Sequence, residues 1–218
     1  ALPNTTETSW EIWNNFQDGS FPILFHAIAM SVGGFAIYKG VSSIEKVNRI
    51  LIPTLLAIVL LSVVRALMLP GSMAGITYLF TPDWSQLKEP RIWLEALTQN
   101  AWDTGAGWGL FLTYAIYIKK RYGVIKNAFT VAIGNNLVSL MAAIMIFSTV
   151  FSILGNEMGM AKPEILDVMK SSGPAATGLT FIWMPQLFAK MPLGKPLAIL
   201  FFLGLSFAGF SSLISMLE

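Results

Sequence analysis

The chain has 218 residues, of which 55% are hydrophobic and 12% are charged, and its formal net charge is +2. An average soluble domain carries about 25% charged residues, so this composition indicates a protein whose solvent is the lipid bilayer. The small net charge does not suggest a nucleic-acid partner, and the lack of cysteine excludes disulfides and thiolate metal sites.

Both ends of the chain look like cut ends. The chain begins with Ala and a polar and aromatic stretch without a signal peptide, and it stops at SSLISMLE without a polar tail. We therefore expect a piece of a longer protein, in which residues 1–20 form an outer loop.

Five apolar segments are long enough to predict membrane-spanning helices, which need roughly 20 residues each. The third of these segments is interrupted by polar residues, and the fourth is long enough to tilt or to extend past the membrane. The sequence thus predicts an all-α membrane protein with five transmembrane helices. The five predicted spans are residues 21–38, 50–69, 92–118, 124–154 and 196–217.

Short basic loops predict the orientation of the spans, because Lys and Arg collect on the cytoplasmic side. Lys39, Lys46 and Arg49 follow the first span, and the run KKR at 119–121 follows the third. Those two loops therefore face inside, so the chain starts outside and finishes inside. The segments expected outside are residues 1–20, 70–91 and 155–195.

The connection at 155–195 is predicted to cap the outer face. KPEILDVMKSS has a proline at its second position and helical spacing, which predicts a short helix. GLTFIWMPQLFAKMP is apolar but too short to span, so we expect it to dip onto the outer face.

Residues 99–109, QNAWDTGAGWG, interrupt the third predicted span. Gly105 and Gly107 would let the helix break, and irregular backbone at membrane depth needs protein or water to satisfy it. Gln99 and Asp103 are four residues apart and share one helix face. One interpretation is a kinked helix whose Asp103 is a satisfied packing group. The other is a broken helix whose ends and carboxylate form an ion site.

Polar and small residues also lie inside the fourth and fifth predicted spans. Asn135 is followed one turn later by Ser139, and Ala208, Ser211 and Ser212 fall on one stripe of the fifth span. Hydrogen bonds or close packing between helices would explain each set. Together with the polar groups of the third span, Asn135 and Ser139 form an oxygen-rich set that suits a hard cation.

An enzyme is not expected. His26 is the only histidine, and no nucleophile–base pair or Ser/His/Asp set is apparent in the sequence.

Four motifs resemble those of the neurotransmitter:sodium symporter family, which has the LeuT fold. IWLEALTQ is similar to VWIxxAxxQ, GWGLFLTYAIYIKK to GxGxxxTYAxY, YLFTPDW to FLWTPD, and SFAGFSSL to FFAGLTSS. Their order, spacing and loop lengths also agree, over nearly all of the chain. The resemblance implies part of a LeuT-type inverted-repeat bundle, in which the five spans correspond to the fourth to eighth of twelve helices.

By position, the resemblance implies a substrate site and an inner gate. Trp102 and Trp108 take the places of two aromatic residues that flank the substrate, and Gly105 takes the small position in the unwound segment. Met216 falls where an apolar residue lines the substrate pocket. Tyr117 matches a tyrosine of the inner gate.

The resemblance also implies two sodium sites. Asn135 matches an asparagine that ligates the first sodium. Asp103 stands where the family usually has the Ser or Thr that ligates the same ion. The carbonyl of Ala208 and the hydroxyls of Ser211 and Ser212 match the second site.

Gln99 and Ser139 belong to the region in which the family binds chloride. Ser139 takes a place that is Ser in chloride-dependent relatives and Glu in chloride-independent bacterial ones. This chain lacks that Glu but has a carboxylate at Asp103, one helix away. Our hypothesis is that Asp103 supplies the missing negative charge and replaces chloride.

The expected function is sodium-coupled symport of an amino acid or a related small amine by alternating access. The expected partners are that small molecule, the lipid bilayer and the remaining helices of the same transporter, in a bacterial inner membrane. A proton-coupled relative, a non-transporting relative and a truncated scaffold remain alternatives.

Overall fold

A computed structural model describes residues 6–37, 41–105, 107, 109, 115–116, 123–170, 180–181, 184–190 and 192–217. Within these ranges the regular structure is entirely helical, which confirms the predicted all-α class. The helices are α1 (Thr6–Asp18), α2 (Phe21–Ile37), α3 (Val41–Leu67), α4 (Ser72–Leu79), a 3-10 helix (Trp84–Lys88), α5 (Pro90–Thr104), α6 (Val124–Val150), a π-helical segment (Phe151–Glu157), α7 (Lys162–Lys170), α8 (Met184–Lys190) and α9 (Gly194–Leu217).

Three stretches among the described residues are long and apolar enough to cross a membrane. They are Asn48–Leu67, Val124–Glu157 and Gly194–Ile214, and they coincide with the second, fourth and fifth predicted spans. The first predicted span forms α2, whose apolar part, Phe21–Phe35, is shorter than this length. The third begins as α5, and most of its second half lies outside the described residues.

Local sequence explains where α5 begins and ends. Pro90 stands in the first turn, where its missing N–H costs nothing because that donor has no partner inside the helix. Gly105 follows the last helical residue with φ 66°, a left-handed conformation that favours glycine. The N–H of Gly105 donates to the carbonyls of Ala101 and Trp102, which closes the last turn.

Two glycines let the long helices pack closely. A Cβ atom on Gly204 of α9 would lie 3.2 Å from Ile58 Cγ2 in α3. A Cβ atom on Gly33 of α2 would lie 3.0 Å from Leu217 Cδ1 in α9. α9 therefore packs against both α2 and α3, while the other contacts of α3 include α6.

The core lies at the end of the bundle where α3, α6 and α9 meet the short helices. Val63 of α3, Val150 of α6 and Phe201 of α9 are buried there beside Ile165 of α7 and Met184 of α8. Elsewhere the helices keep large apolar side chains on the surface, a pattern suited to contact with lipid or with further helices.

The predicted outer segments contain helices of their own. Residues 1–20, interpreted as a loop, include α1, and residues 70–91 include α4 and the 3-10 helix. The helix predicted within KPEILDVMKSS is confirmed as α7, Lys162–Lys170. The apolar stretch that follows contributes the seven-residue α8, which is too short to span a membrane, as predicted.

Candidate ion and substrate site

The C-terminal end of α5 carries the first group of predicted site residues. Gln99 and Trp102 are exposed side chains in its last two turns, and Trp102 is 66% exposed. Gly105 ends the helix, and Gly107 and Gly109 also have positive φ values, of 84° and 80°. A residue with a Cβ atom would be strained at all three positions, by roughly 1–2 kcal/mol each.

The structure leaves part of this group undescribed. The backbone of Asp103 lies in the last turn of α5, but its side chain is outside the described residues. Trp108 and Tyr117 also lie outside them. The sodium, substrate and gate roles of these three residues therefore stay predictions.

Asn135 and its neighbour Asn136 have different surroundings in α6. The amide nitrogen of Asn136 donates to the carbonyl of Ala132 at 2.8 Å, on an exposed side of its own helix. The amide nitrogen of Asn135 is buried and has no hydrogen-bond partner among the described residues. A buried polar atom that stays unpaired costs about 1–3 kcal/mol, so this NH2 group needs a hydrogen-bond acceptor from outside the described residues.

The residues predicted for the second sodium site, and Met216 of the predicted substrate pocket, lie on α9. Ala208 and Ser211 are half-buried, Ser212 is exposed, and Met216 is 50% exposed. The main contacts of α9 are with α2, α3 and α8.

The structure brings two of the three groups onto contacting helices. α5, with Gln99, Trp102 and Gly105, contacts α6, which carries Asn135 and the half-buried Ser139. The third group lies on α9. This helix contacts α3, and α3 in turn contacts α6.

The donor set fits a small hard cation. Amide, hydroxyl and carbonyl oxygens are the ligands that such ions prefer. The last carbonyls of α5 lie at the negative end of its helix dipole, where positive charge is favoured. Sodium or the ammonium group of an amine would suit these oxygen atoms.

Sequence reasoning missed a second assembly, in which α4 lies on the end of α6. Ser72 and Gly75 of α4 are buried, and the hydroxyl of Ser152 in the π-helical segment donates to the carbonyl of Pro70. The available signal was the pair of glycines four positions apart in GSMAG, Gly71 and Gly75, a spacing that permits close helix packing.

Long apolar helices that carry amides and hydroxyls at their centres are typical of membrane transport proteins. The chain belongs to the Sodium:neurotransmitter symporter family, whose model matches residues 21–218. The members are integral membrane transporters and not enzymes, which confirms the prediction from the sequence.

Several relatives are similar to this chain. An uncharacterized sodium-dependent transporter of Methanocaldococcus jannaschii is 34% identical over 202 residues, which are 91% of this chain and 39% of the relative. A sodium- and chloride-dependent GABA transporter of Drosophila melanogaster is 31% identical over 184 residues, which are 84% of this chain and 19% of that relative. The sodium-dependent serotonin transporter of the same organism is 34% identical over 186 residues, which are 84% of this chain and 28% of that relative. The chain thus spans less than half of the length of these relatives.

Proposed function

We propose that this chain is the central part of a sodium-coupled symporter of an amino acid or a related small amine. The observation that carries the proposal is the family match over residues 21–218, together with the sodium dependence in the names of the relatives. The remaining helices of the transporter are the proposed partners of this chain, and the lipid bilayer surrounds them.

The proposed substrate site is a broken third span, centred on the end of α5. The left-handed Gly105 ends the helix, so the carbonyls of the last turn lie at the negative end of the α5 dipole, beside the interruption. These carbonyls favour a cationic ammonium group, and the exposed face of the Trp102 indole can add a cation–π contact. Trp108 and Met216 would complete the apolar wall, and Tyr117 would form the inner gate.

Two sodium sites are proposed beside it. Asn135 and Asp103 would hold the first sodium, next to the end of α5. The carbonyl of Ala208 and the hydroxyls of Ser211 and Ser212 would hold the second. Binding of substrate and sodium together would favour one orientation of the bundle over the other, and that difference in affinity would drive alternating access.

We also propose that Asp103 replaces chloride. A chloride ion beside the first sodium balances the charge of that ion, and a fixed carboxylate at Asp103 would do the same. Gln99 and Ser139 would then be neutral hydrogen-bonding groups in the former chloride region. When sodium leaves, the carboxylate would lose its charge partner, and proton exchange would become possible.

The proposed location is a bacterial inner membrane. The basic residues after the first and third predicted spans favour the topology that starts outside and finishes inside.

The experiment that tests the function is uptake of labelled amino acids and amines into proteoliposomes that contain the full-length protein. External sodium is compared with choline, and chloride with gluconate, for the native protein and for Asp103→Ser. We expect uptake that needs sodium but not chloride, and a chloride requirement that appears in Asp103→Ser. Uptake without any need for sodium would overturn the symporter proposal. A native protein that needs chloride, with the same need in Asp103→Ser, would overturn the role of Asp103.

A further inference from the structure

We propose a second binding site, for a compact organic anion with an apolar body, in a cavity between α4, the π-helical segment and the start of α7. The cavity has a volume of about 620 Å³, within the usual range of roughly 300–1,000 Å³ for small-molecule sites. The described lining residues include Thr77, Tyr78, Phe151, Asn156 and Lys162.

The cavity is remote from the proposed transport site. Phe151, in the cavity wall and at the start of the π-helical segment, follows Asn135 of α6 by 16 residues. At 1.5 Å per residue this separation is about 24 Å. A ligand here would therefore not be the transported substrate in its central site.

Aromatic rings form the apolar wall of the cavity. Tyr78 stacks on Phe151 with ring centroids 5.4 Å apart and on Phe147 at 5.8 Å. These rings are held in place by the close approach of Gly75 to Phe147 and by the hydrogen bond from Ser152 to Pro70. Such a fixed aromatic surface favours a flat apolar ligand, since little conformational entropy is lost on binding.

The positive charge of Lys162 in the cavity lining favours an anionic ligand. Lys162 is the only described lining residue with a formal charge, and its Nζ lies 4.7 Å from the ring centroid of Tyr78. Lys162 is also the first residue of α7, where the helix dipole adds partial positive charge. Glu164 is not among the described lining residues, and its Oε2 accepts the N–H of Ala161 at 2.8 Å.

The size of the cavity argues against a simple inorganic ion. One ammonium group gives one charged contact, and an ion such as chloride would leave most of the volume empty. A ligand with a single carboxylate at Lys162 and an aromatic body on Tyr78 and Phe151 would fill the cavity and satisfy its charge. The amide of Asn156 and the hydroxyl of Thr77 add neutral polar groups beside it.

The test measures binding of 1-naphthoate and of its neutral analogue 1-naphthamide to the purified full-length protein by calorimetry. We expect saturable binding of 1-naphthoate that weakens about tenfold in Lys162→Met, since one charge-assisted contact is lost. Lys162→Arg should retain the affinity within about threefold, because it keeps the charge. Lys170→Met, at the exposed far end of α7, is the matched control and should bind like the native protein.

The outcomes separate a binding site from a structural lysine. Thermal midpoints of the variants establish that each is folded, and 1-naphthamide should bind more weakly than 1-naphthoate to the native protein and equally to native and Lys162→Met. The proposal is overturned if 1-naphthoate does not saturate below millimolar concentration, if Lys162→Met binds it as tightly as the native protein, or if the neutral amide binds equally well.

Competition by phosphatidylglycerol nanodiscs, but not phosphatidylcholine nanodiscs, would identify a lipid headgroup as the anion source. A lack of such competition would identify a soluble organic anion. The binding assay needs no transport, so its failure is distinguishable from failure of the symporter proposal.

Discussion

Gly75 of α4 lies against the main-chain carbonyl of Phe147 in α6, so closely that a Cβ atom on Gly75 would come within 2.2 Å of that oxygen. The neighbouring ring of Tyr78 stacks on the side chain of Phe147. α4 therefore rests directly on the backbone of the longest apolar helix in the described chain. Only a residue without a side chain allows that approach.

Gly75→Ala should destabilise the protein. The new methyl group would overlap backbone atoms that cannot move aside as a side chain would, so α4 must shift from α6. Overpacking of this kind costs about 1–3 kcal/mol. Thermal unfolding of the purified protein, followed by tryptophan fluorescence, measures the change.

Gly34→Ala is the matched control for this prediction. Gly34 lies in α2, and a Cβ atom there would meet nothing within 4 Å. Alanine is favoured over glycine in a helix interior by up to about 1 kcal/mol, so this variant should be neutral or more stable. Equal unfolding temperatures for the two variants would contradict the close contact of α4 with α6.

Ser152→Ala should also destabilise the protein. The Ser152 hydroxyl is buried and donates to the carbonyl of Pro70, 82 residues earlier in the chain. Its loss removes a hydrogen bond between distant segments, at a cost of about 0.5–1.5 kcal/mol. Chemical denaturation in a fixed detergent gives the change in the free energy of unfolding.

A second serine tests whether burial and the long-range partner matter. Ser206 is exposed, and its hydroxyl donates to the carbonyl of Phe202 in its own helix at 2.8 Å. That carbonyl can keep its helical partner, so Ser206→Ala should change the free energy of unfolding by less than about 0.5 kcal/mol. Equal free energies of unfolding for Ser152→Ala and Ser206→Ala would show that the hydrogen bond from Ser152 to Pro70 does not stabilise the protein.

Asp83 should titrate below its ordinary pKa. It caps the 3-10 helix, and its carboxylate accepts hydrogen bonds from the Ser85 hydroxyl at 2.6 Å and the Ser85 N–H at 3.0 Å. These two bonds, and then a weaker one from the Gln86 amide, lower the pKa of Asp83 from its usual 3.8. The cap is therefore fully formed above the unfolded pKa and is lost as the pH falls through the lower folded value.

NMR of the protein labelled at its aspartate carboxyl carbons measures this pKa. The Asp83 signal is assigned by its loss in Asp83→Asn. Ser85→Ala should raise the pKa of Asp83 towards the ordinary value, and Gln86→Ala should raise it less. The cap would be refuted if the pKa of Asp83 were the same with and without the Ser85 hydroxyl.

Much of the helical layout could be predicted, because apolar runs determine it locally. The fourth span was predicted over 124–154, and the helical stretch covers Val124–Glu157. α5 ends at Thr104, directly before the left-handed Gly105, while the broken third span as a whole stays a prediction. These features depend on neighbours in sequence, so the residues themselves carry the signal.

The parts that could not be predicted depend on contacts between distant segments. The spacing of Gly71 and Gly75 permits close helix packing, but nothing near Gly75 or Ser152 in the sequence identifies the main-chain carbonyl that each meets. Asn135 and Asn136 are the same residue type at adjacent positions. Only the packing of α6 buries the amide nitrogen of Asn135 and leaves that of Asn136 to bond the carbonyl of Ala132 in its own helix. The proposed role of Asn135 in sodium binding rests on the resemblance.

Asn135→Ala should weaken the activation of uptake by sodium, and Asn136→Ala should not. A contact between a neutral polar group and an ion contributes about 1.5–3 kcal/mol, so the sodium concentration for half-maximal uptake should rise about tenfold or more in Asn135→Ala. The amide of Asn136 is already paired with the carbonyl of Ala132, so its removal should leave that concentration within about twofold. Thermal midpoints in sodium and in choline provide a second readout, since sodium should stabilise the native protein and Asn136→Ala but not Asn135→Ala. If both variants kept the native sodium dependence in uptake and in stability, Asn135 would be a packing residue between helices, and the first sodium would have to bind elsewhere.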